Sequence, residues 1–458
     1  MQFWKLKIVI FSLGISLSCS SDDPAVSNNE TPKETDTSFK GTINWKKTFG
    51  GSLNEEAKAL VVAPNGDYML LGNSGSTDGT IGTNTSGTQD YWLMRINPTG
   101  EVIWSKTYGG DNDDRGEAIA VTNDGGFVIT GYSRSASGAV TANNGSYDHW
   151  MAKLDSNGVL QWEKNYGFLG DDRAFAVQQT TDGGYLTVGY LDVDSYEGPN
   201  NTNTSQKLPN AAKKHGVGEF WVHKLDPTGA VEWERFFGGS NNDRANDFLI
   251  LEDGYLIVGT SESNDFDISS SNGSYDFWLV KISKEGVLQW QKNYGGSGID
   301  TAYAATMTAD GNYVIVGDTR STDGDITTAK GNADLWAIKI SPDGTLLQQK
   351  TFGGSGFDTA REILTTAENN FVISGSSRSS DGDVTTNFGD NDIWLLQIDQ
   401  NLNLQWNTSF GGSDFDFGQG LSQDANGTIV LIGDSESSDN DSIENNGQKD
   451  ALVLSIKL

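Results

Sequence analysis

One dipeptide, recurring at a nearly fixed interval, restricts this chain more than any other feature. Gly50-Gly51 returns as Gly109-Gly110, Gly238-Gly239, Gly295-Gly296, Gly353-Gly354 and Gly411-Gly412, with Gly167-Phe168 as the third copy. The intervals between first glycines are 59, 58, 71, 57, 58 and 58 residues. A tryptophan stands five residues before six of the seven, at Trp45, Trp104, Trp162, Trp233, Trp290 and Trp406, with Gln348 in the sixth copy. A second tryptophan follows an acid, in the pairs Asp90/Trp92, Asp148/Trp150, Glu219/Trp221, Asp276/Trp278, Asp334/Trp336 and Asp392/Trp394; the last copy has Asp450 and Leu452. Several positions repeating in one register mean a repeat architecture, in which each unit buries its faces only against its neighbours.

Each unit reads as four short strands. In the fifth copy they fall at Ala302–Thr308, Tyr313–Asp318, Leu335–Ile340 and Leu347–Phe352. Asp310-Gly311 makes the first tight turn and Pro342-Asp343-Gly344 the third. No segment carries a 3.6-residue apolar period long enough for a helix. Four-stranded units near 58 residues predict an all-β fold, a seven-bladed β-propeller over residues 41–458. The pattern also predicts how the ring closes. Ala451–Leu458 supplies only a third strand, while Thr42–Phe49, with Ile43-Asn44-Trp45, matches the fourth-strand pattern. The N-terminal strand is therefore expected to complete the last blade and cover its unpaired edge.

Residues 1–18 read as a leader rather than fold. Lys5 and Lys7 precede the apolar run Ile8–Leu17, which is too short for the roughly 20 residues that span a bilayer. The run Ser-Leu-Ser-Cys, ending at Cys19, resembles a bacterial lipobox, with Ser16 where leucine is usual. That resemblance implies lipidation of Cys19 and anchoring by acyl chains, each buried CH₂ contributing about 0.8 kcal/mol. The acidic stretch Ser20-Ser21-Asp22-Asp23 is similar to a surface-display signal of Bacteroidota lipoproteins. Residues 19–40 are polar and read as the lipidated Cys19 followed by a flexible tether. Cys19 is the only cysteine, so the chain has no internal disulfide.

The motifs Trp-x-Lys-x-Tyr-Gly-Gly-Ser, Asp-Gly-Gly-Tyr and Asp-x-Trp resemble the propeller-repeat lipoproteins of Bacteroidota. The resemblance covers roughly 42–458 and implies a monomeric propeller held by lipid at the outer membrane and facing the cell exterior. It carries no chemistry for particular residues. Charge excludes other partners: 31 Lys+Arg against 62 Asp+Glu give a net −31, which disfavours nucleic acid and polybasic docking on anionic lipid.

Candidate site residues fall where the repeat breaks or converges. Five residues after each first glycine stands an acid: Glu55, Asp114, Asp172, Asp243, Asp300, Asp358 and Asp416. Around one mouth of the axis they would either hold a cation such as calcium or bind the N–H groups of their own turns. The same two readings apply to Asp323-Gly324-Asp325 and Asp381-Gly382-Asp383, which lack the EF-hand ligand ladder. Arg115, Arg173 and Arg244 follow the acid in blades 2 to 4 only, and Phe357 and Phe415 precede it in blades 6 and 7. A 13-residue insertion in blade 3, within Leu191–Gly218, carries Lys207, Lys213, Lys214 and His215. The expected mouth is two-sided, a guanidinium sector opposite an apolar one. Such a surface would bind anions through arginine forks and sugar rings through aromatics, unless each arginine merely pairs with its neighbouring acid. His149 and His223 occupy slots that are apolar in other blades and read as packed. Tyr190, Tyr196 or a perturbed carboxylate would have to supply any acid–base chemistry. Three functions fit: a surface binding or scaffold module for a glycan or a protein, a propeller-type polysaccharide lyase, and an outer-membrane assembly factor.

Overall fold

The structure, a computed structural model, describes residues 36–82, 84, 88–192, 216–440 and 445–458. The leader, Cys19, Tyr196 and the basic insertion with His215 lie outside the described residues. The body Thr37–Leu458 is all-β, and the described residues contain no helix. Numbered in chain order, β1 (Thr42–Phe49) to β28 (Asp450–Lys457) form seven four-stranded antiparallel sheets, the blades of a propeller. In blade 5 the strands are β18 (Asp300–Met307), β19 (Tyr313–Thr319), β20 (Asp334–Ile340) and β21 (Leu346–Phe352), each within two residues of its place in the sequence pattern.

The ring closes as the sequence implies. The last blade has the order β1-β28-β27-β26, with β26 at Asp416–Gln423 and β27 at Thr428–Ser435. β1 runs antiparallel to β28, with Thr48 opposite Leu452 and Phe49 opposite Ala451. Just upstream, Phe39 sets its ring edge-on to Trp406 at 5.1 Å, and the Asn407 N–H donates to the Thr37 carbonyl at 3.1 Å. Residues 37–40, read as the end of the tether, thus lie against blade 6.

The core lies between blades. The cluster that holds β1 draws Phe49, Val430, Ile432, Ala451 and Val453 from blade 7 and Leu70, Trp92 and Met94 from blade 1. This arrangement follows from strands buried on both faces: the second and third strands of blade 5 are buried along their whole length. The third-strand tryptophans explain their own repetition. Each indole is buried yet keeps a hydrogen bond by reaching a polar residue thirteen positions on, as in Trp92 to Ser105 at 2.8 Å, Trp278 to Gln291 at 3.0 Å and Trp394 to Asn407 at 3.1 Å. The first strands of neighbouring blades meet one another around the axis.

Candidate functional site

The double-glycine turns, the ends of the second strands and the starts of the third strands share one face, and the recurring first-strand acid of each blade acts there as a latch. Asp358 is fully buried; its Oδ2 accepts from the Gly354 N–H at 2.8 Å and from Ser379 Oγ at 2.7 Å, while Oδ1 accepts from Ser377 Oγ at 2.5 Å. Asp114, Asp300 and Asp416 repeat this pattern with their own glycine and hydroxyls. Asp243 does so with Gly239, Ser261 and Ser263. Glu55 accepts from the Gly51 N–H at 2.6 Å and Ser74 at 2.8 Å, and Asp172 from the Phe168 N–H at 2.6 Å. The Asp-Gly-Asp loops pin the same turns: Asp323 accepts from the Ser297 N–H at 2.7 Å and Asp325 from the Gly295 N–H at 3.1 Å. Asp381 and Asp383 do the same for Ser355 and Gly353. The seven acids are spread one to a blade, and among the described residues no three His, Cys, Asp or Glu converge on a metal-sized point.

Buried carboxyls beside these latches make stability depend on pH in a calculable direction. Burial pushes the Asp148 carboxyl up to about 7. Burial and the nearby Asp300 charge push Asp276 up to about 6. Burial raises Asp434 to about 6 despite the Lys58 ammonium beside it. Raised carboxyls stay protonated in the fold at a pH where the unfolded chain, near 3.8, has ionised. The fold then binds more protons, so stability falls as pH rises through that interval. Asp124 and Asp182, held down to about 2 by hydroxyl and lysine hydrogen bonds that outweigh burial, change stability only in stronger acid. Thermal scans should therefore give a higher Tm near pH 5 than near pH 8; a flat or rising profile would contradict these assignments.

Arginines concentrate at the mouth. The chain has nine arginines, and seven of them (Arg115, Arg134, Arg173, Arg244, Arg320, Arg361 and Arg378) stand at or just inside this face. Arg115 pairs with Asp113 at 3.2 Å and Arg173 with Asp171 at 3.2 Å, as expected if each arginine served its neighbouring acid. The other five have no carboxylate within 4 Å among the described residues. They lie on aromatic faces instead: Arg134 over Tyr147 at 4.9 Å, Arg244 over Tyr190 at 4.8 Å and Arg361 over Tyr303 at 4.0 Å. Arg320 and Arg378 flank Phe357 at 5.4 and 5.9 Å, and Arg378 also reaches Phe415 at 5.5 Å. Arg173 also meets two rings, 4.4 Å from Tyr132 and 4.9 Å from Tyr147. Guanidinium and aromatic groups are thus interleaved around the mouth, rather than segregated into two sectors.

Sequence reasoning missed Arg134, Arg320 and Arg378. They occupy the residue after the second strand, and the triplets Ser-Arg-Ser and Thr-Arg-Ser were the available signal. It also missed the ring three residues beyond the latch acid, where each blade sends a different group toward the axis: Lys58, Glu117, Phe175, Asn246, Tyr303, Arg361 and Gln419. A cavity of about 510 Å³ runs along the first strands and is lined by all of these except Gln419. Lys58 holds its proton strongly there, because Glu117, Glu56 and Asp434 outweigh the cost of its burial. On the mouth side, among the described residues, are three smaller pockets. One, of about 340 Å³, lies between blades 5 and 6; another, of about 320 Å³, holds Arg244, Tyr275 and Tyr303; a third, of about 430 Å³, holds Asp113 and Arg134. His149 and His223 are 2 % exposed within the blade faces, and burial holds both below the usual imidazole range.

No family model matches the chain. The regulatory protein FlaEY of Caulobacter vibrioides (strain ATCC 19089 / CIP 103742 / CB 15) is 22 % identical over 411 residues, which cover 81 % of this chain and 41 % of that protein. Among solved structures, the WD40 β-propeller domain of Doa1 is 12 % identical with a TM-score of 0.48, covering 91 % of this chain and 96 % of that one. BamB from Moraxella catarrhalis is 13 % identical with a TM-score of 0.40, covering 91 % of this chain and 100 % of that one.

Proposed function

We propose that this propeller is a non-catalytic binding module whose arginine-lined mouth takes an acidic glycan, displayed on the cell exterior by lipid on Cys19. One observation carries the reading. In a chain of net charge −31, five arginines of one face are left unpaired by any carboxylate among the described residues and are held ready on aromatic rings. Guanidinium forks without a carboxylate in contact match carboxylate and sulfate groups, and the rings beside them offer apolar faces to sugars. A distant field of the opposite sign weakens such a site in dilute salt, so the contacts must be short and directional rather than long-range steering. The mouth spans several blades, which suits a polymer.

The test is retention of the purified chain on immobilised polygalacturonate. Arg173→Ala and Arg378→Ala should each weaken retention while leaving Tm nearly unchanged. Equal loss of Tm would make Arg173 a residue that holds the fold. Blank glycan binding together with recovery of a membrane protein by affinity capture would replace the glycan with a protein partner. Release of unsaturated uronate, seen by its ultraviolet absorption, would turn the module into a lyase. The anchor is tested separately: Cys19→Ser should move the chain from the membrane to the soluble fraction.

A further inference from the structure

The pocket between blades 5 and 6 has the features of a single-sugar subsite. Its volume of about 340 Å³ falls at the lower end of small-ligand pockets. Arg320, Arg361 and Arg378 line it, all three exposed, and none has a carboxylate within 4 Å among the described residues. The two acids in the wall are already engaged. Asp358 is the latch of its own blade, and Asp318, 7 % exposed, accepts from Thr359 Oγ1 at 3.0 Å and interacts at longer range with Arg361 and Arg320. Phe357, 40 % exposed, lines the pocket, and its ring centroid lies 5.4 Å from the Arg320 guanidinium and 5.9 Å from that of Arg378. Guanidiniums held in place on rings lose little freedom when they bind, which favours recognition of a small anion.

We infer that this pocket binds one acidic sugar residue, a pyranose carrying a carboxylate or a sulfate ester. The anion is gripped by Arg361 and Arg378 and the ring's C–H face lies against Phe357. The inference rests on the reading of the mouth as a glycan site and sharpens it. A polymer crossing the mouth meets Arg173 as well, whereas a short ligand that fills only this pocket does not. The position of Arg173 in blade 3 and of this pocket in blades 5 and 6 makes the two separable.

The experiment is calorimetric titration of the full chain with digalacturonate, with a monosulfated galactose disaccharide and with neutral galactobiose, alongside Tm for every variant. The expected result is binding of one or both acidic disaccharides and none of galactobiose. Arg378→Ala and Phe357→Ala should each weaken it, Arg378→Ala by roughly tenfold to a hundredfold, the range for losing a charge-assisted hydrogen bond. Arg173→Ala should leave it unchanged. Which acidic disaccharide binds identifies the anion. If Arg173→Ala abolishes disaccharide binding and Arg378→Ala does not, the subsite is overturned while the mouth remains a glycan site. If neither acidic disaccharide binds but polygalacturonate is retained, the subsite is again overturned. If polymer and disaccharides both fail, both readings fall.

Discussion

Deletion of Thr42–Phe49 is expected to abolish the cooperative unfolding of the propeller, while a chain that begins at Thr37 keeps it. β1 is the fourth strand of the last blade, and its ladder to β28 is the join that closes the ring. Without it, β28 presents an open edge, and open edges recruit other chains. The deletion also uncovers the cluster around Val430, Ile432 and Val453, from which Phe49, 4 % exposed, and the half-buried Trp45 are removed. Each large apolar side chain taken from a core costs about 1.5–3 kcal/mol, and whole domains are stable by only about 5–15 kcal/mol. Calorimetry with size-exclusion chromatography decides it. The expected variant shows no sharp transition and elutes as aggregate; a monomer with an unchanged transition would mean that closure is not needed.

Gly317→Ala is expected to be the most damaging single methyl that can be added to blade 5. A Cβ at Gly317 would lie 1.8 Å from the Thr301 carbonyl oxygen and 2.9 Å from the Ala302 Cα, both backbone atoms that cannot swing away. The same clash recurs at Gly72, Gly131, Gly189, Gly259, Gly375 and Gly433, where an added Cβ would come within 1.8–2.3 Å of the first-strand carbonyl oxygen. Forcing atoms into a packed interior costs typically 1–3 kcal/mol and more when backbone must shift, so the loss should reach or exceed about 3 kcal/mol. Gly311→Ala is the control. Its Cβ would meet nothing, and only its φ of +80° makes alanine unfavourable, by about 1–2 kcal/mol. Equal stability losses for the two variants, measured by urea unfolding, would contradict the steric account.

The reasons why the fold was legible and the site only partly so are physical. Double glycines, tryptophans and latch acids recur because each satisfies a demand that every blade makes: a tight turn, a filled inter-blade face, and N–H and hydroxyl groups needing an acceptor. Closure was legible because Trp45 and Phe49 match the fourth strands of other blades in a segment ahead of the first complete repeat. The mouth obeys no such demand. Its arginines come from three different columns of the repeat, and comparison of the residues beside the latch acid finds Arg115, Arg173 and Arg244 but passes over Arg134, Arg320, Arg361 and Arg378. The axial ring was hidden for another reason. Each first strand shifts register midway, as between Ala302 and Ala304 or Ala360 and Glu362, so strict alternation does not tell which side chains face the axis. At the shift, Arg361 and Glu362 both line the cavity although they are consecutive.

That this acidic chain binds anions through its arginine mouth is tested most directly by one comparison. The purified chain is titrated with polygalacturonate and with the same polymer fully methyl-esterified, which keeps the sugar rings and removes the charge. Saturable binding of the acid form is expected, and none of the ester. Equal binding of both polymers, or of neither, would contradict a site built on guanidinium–anion contacts.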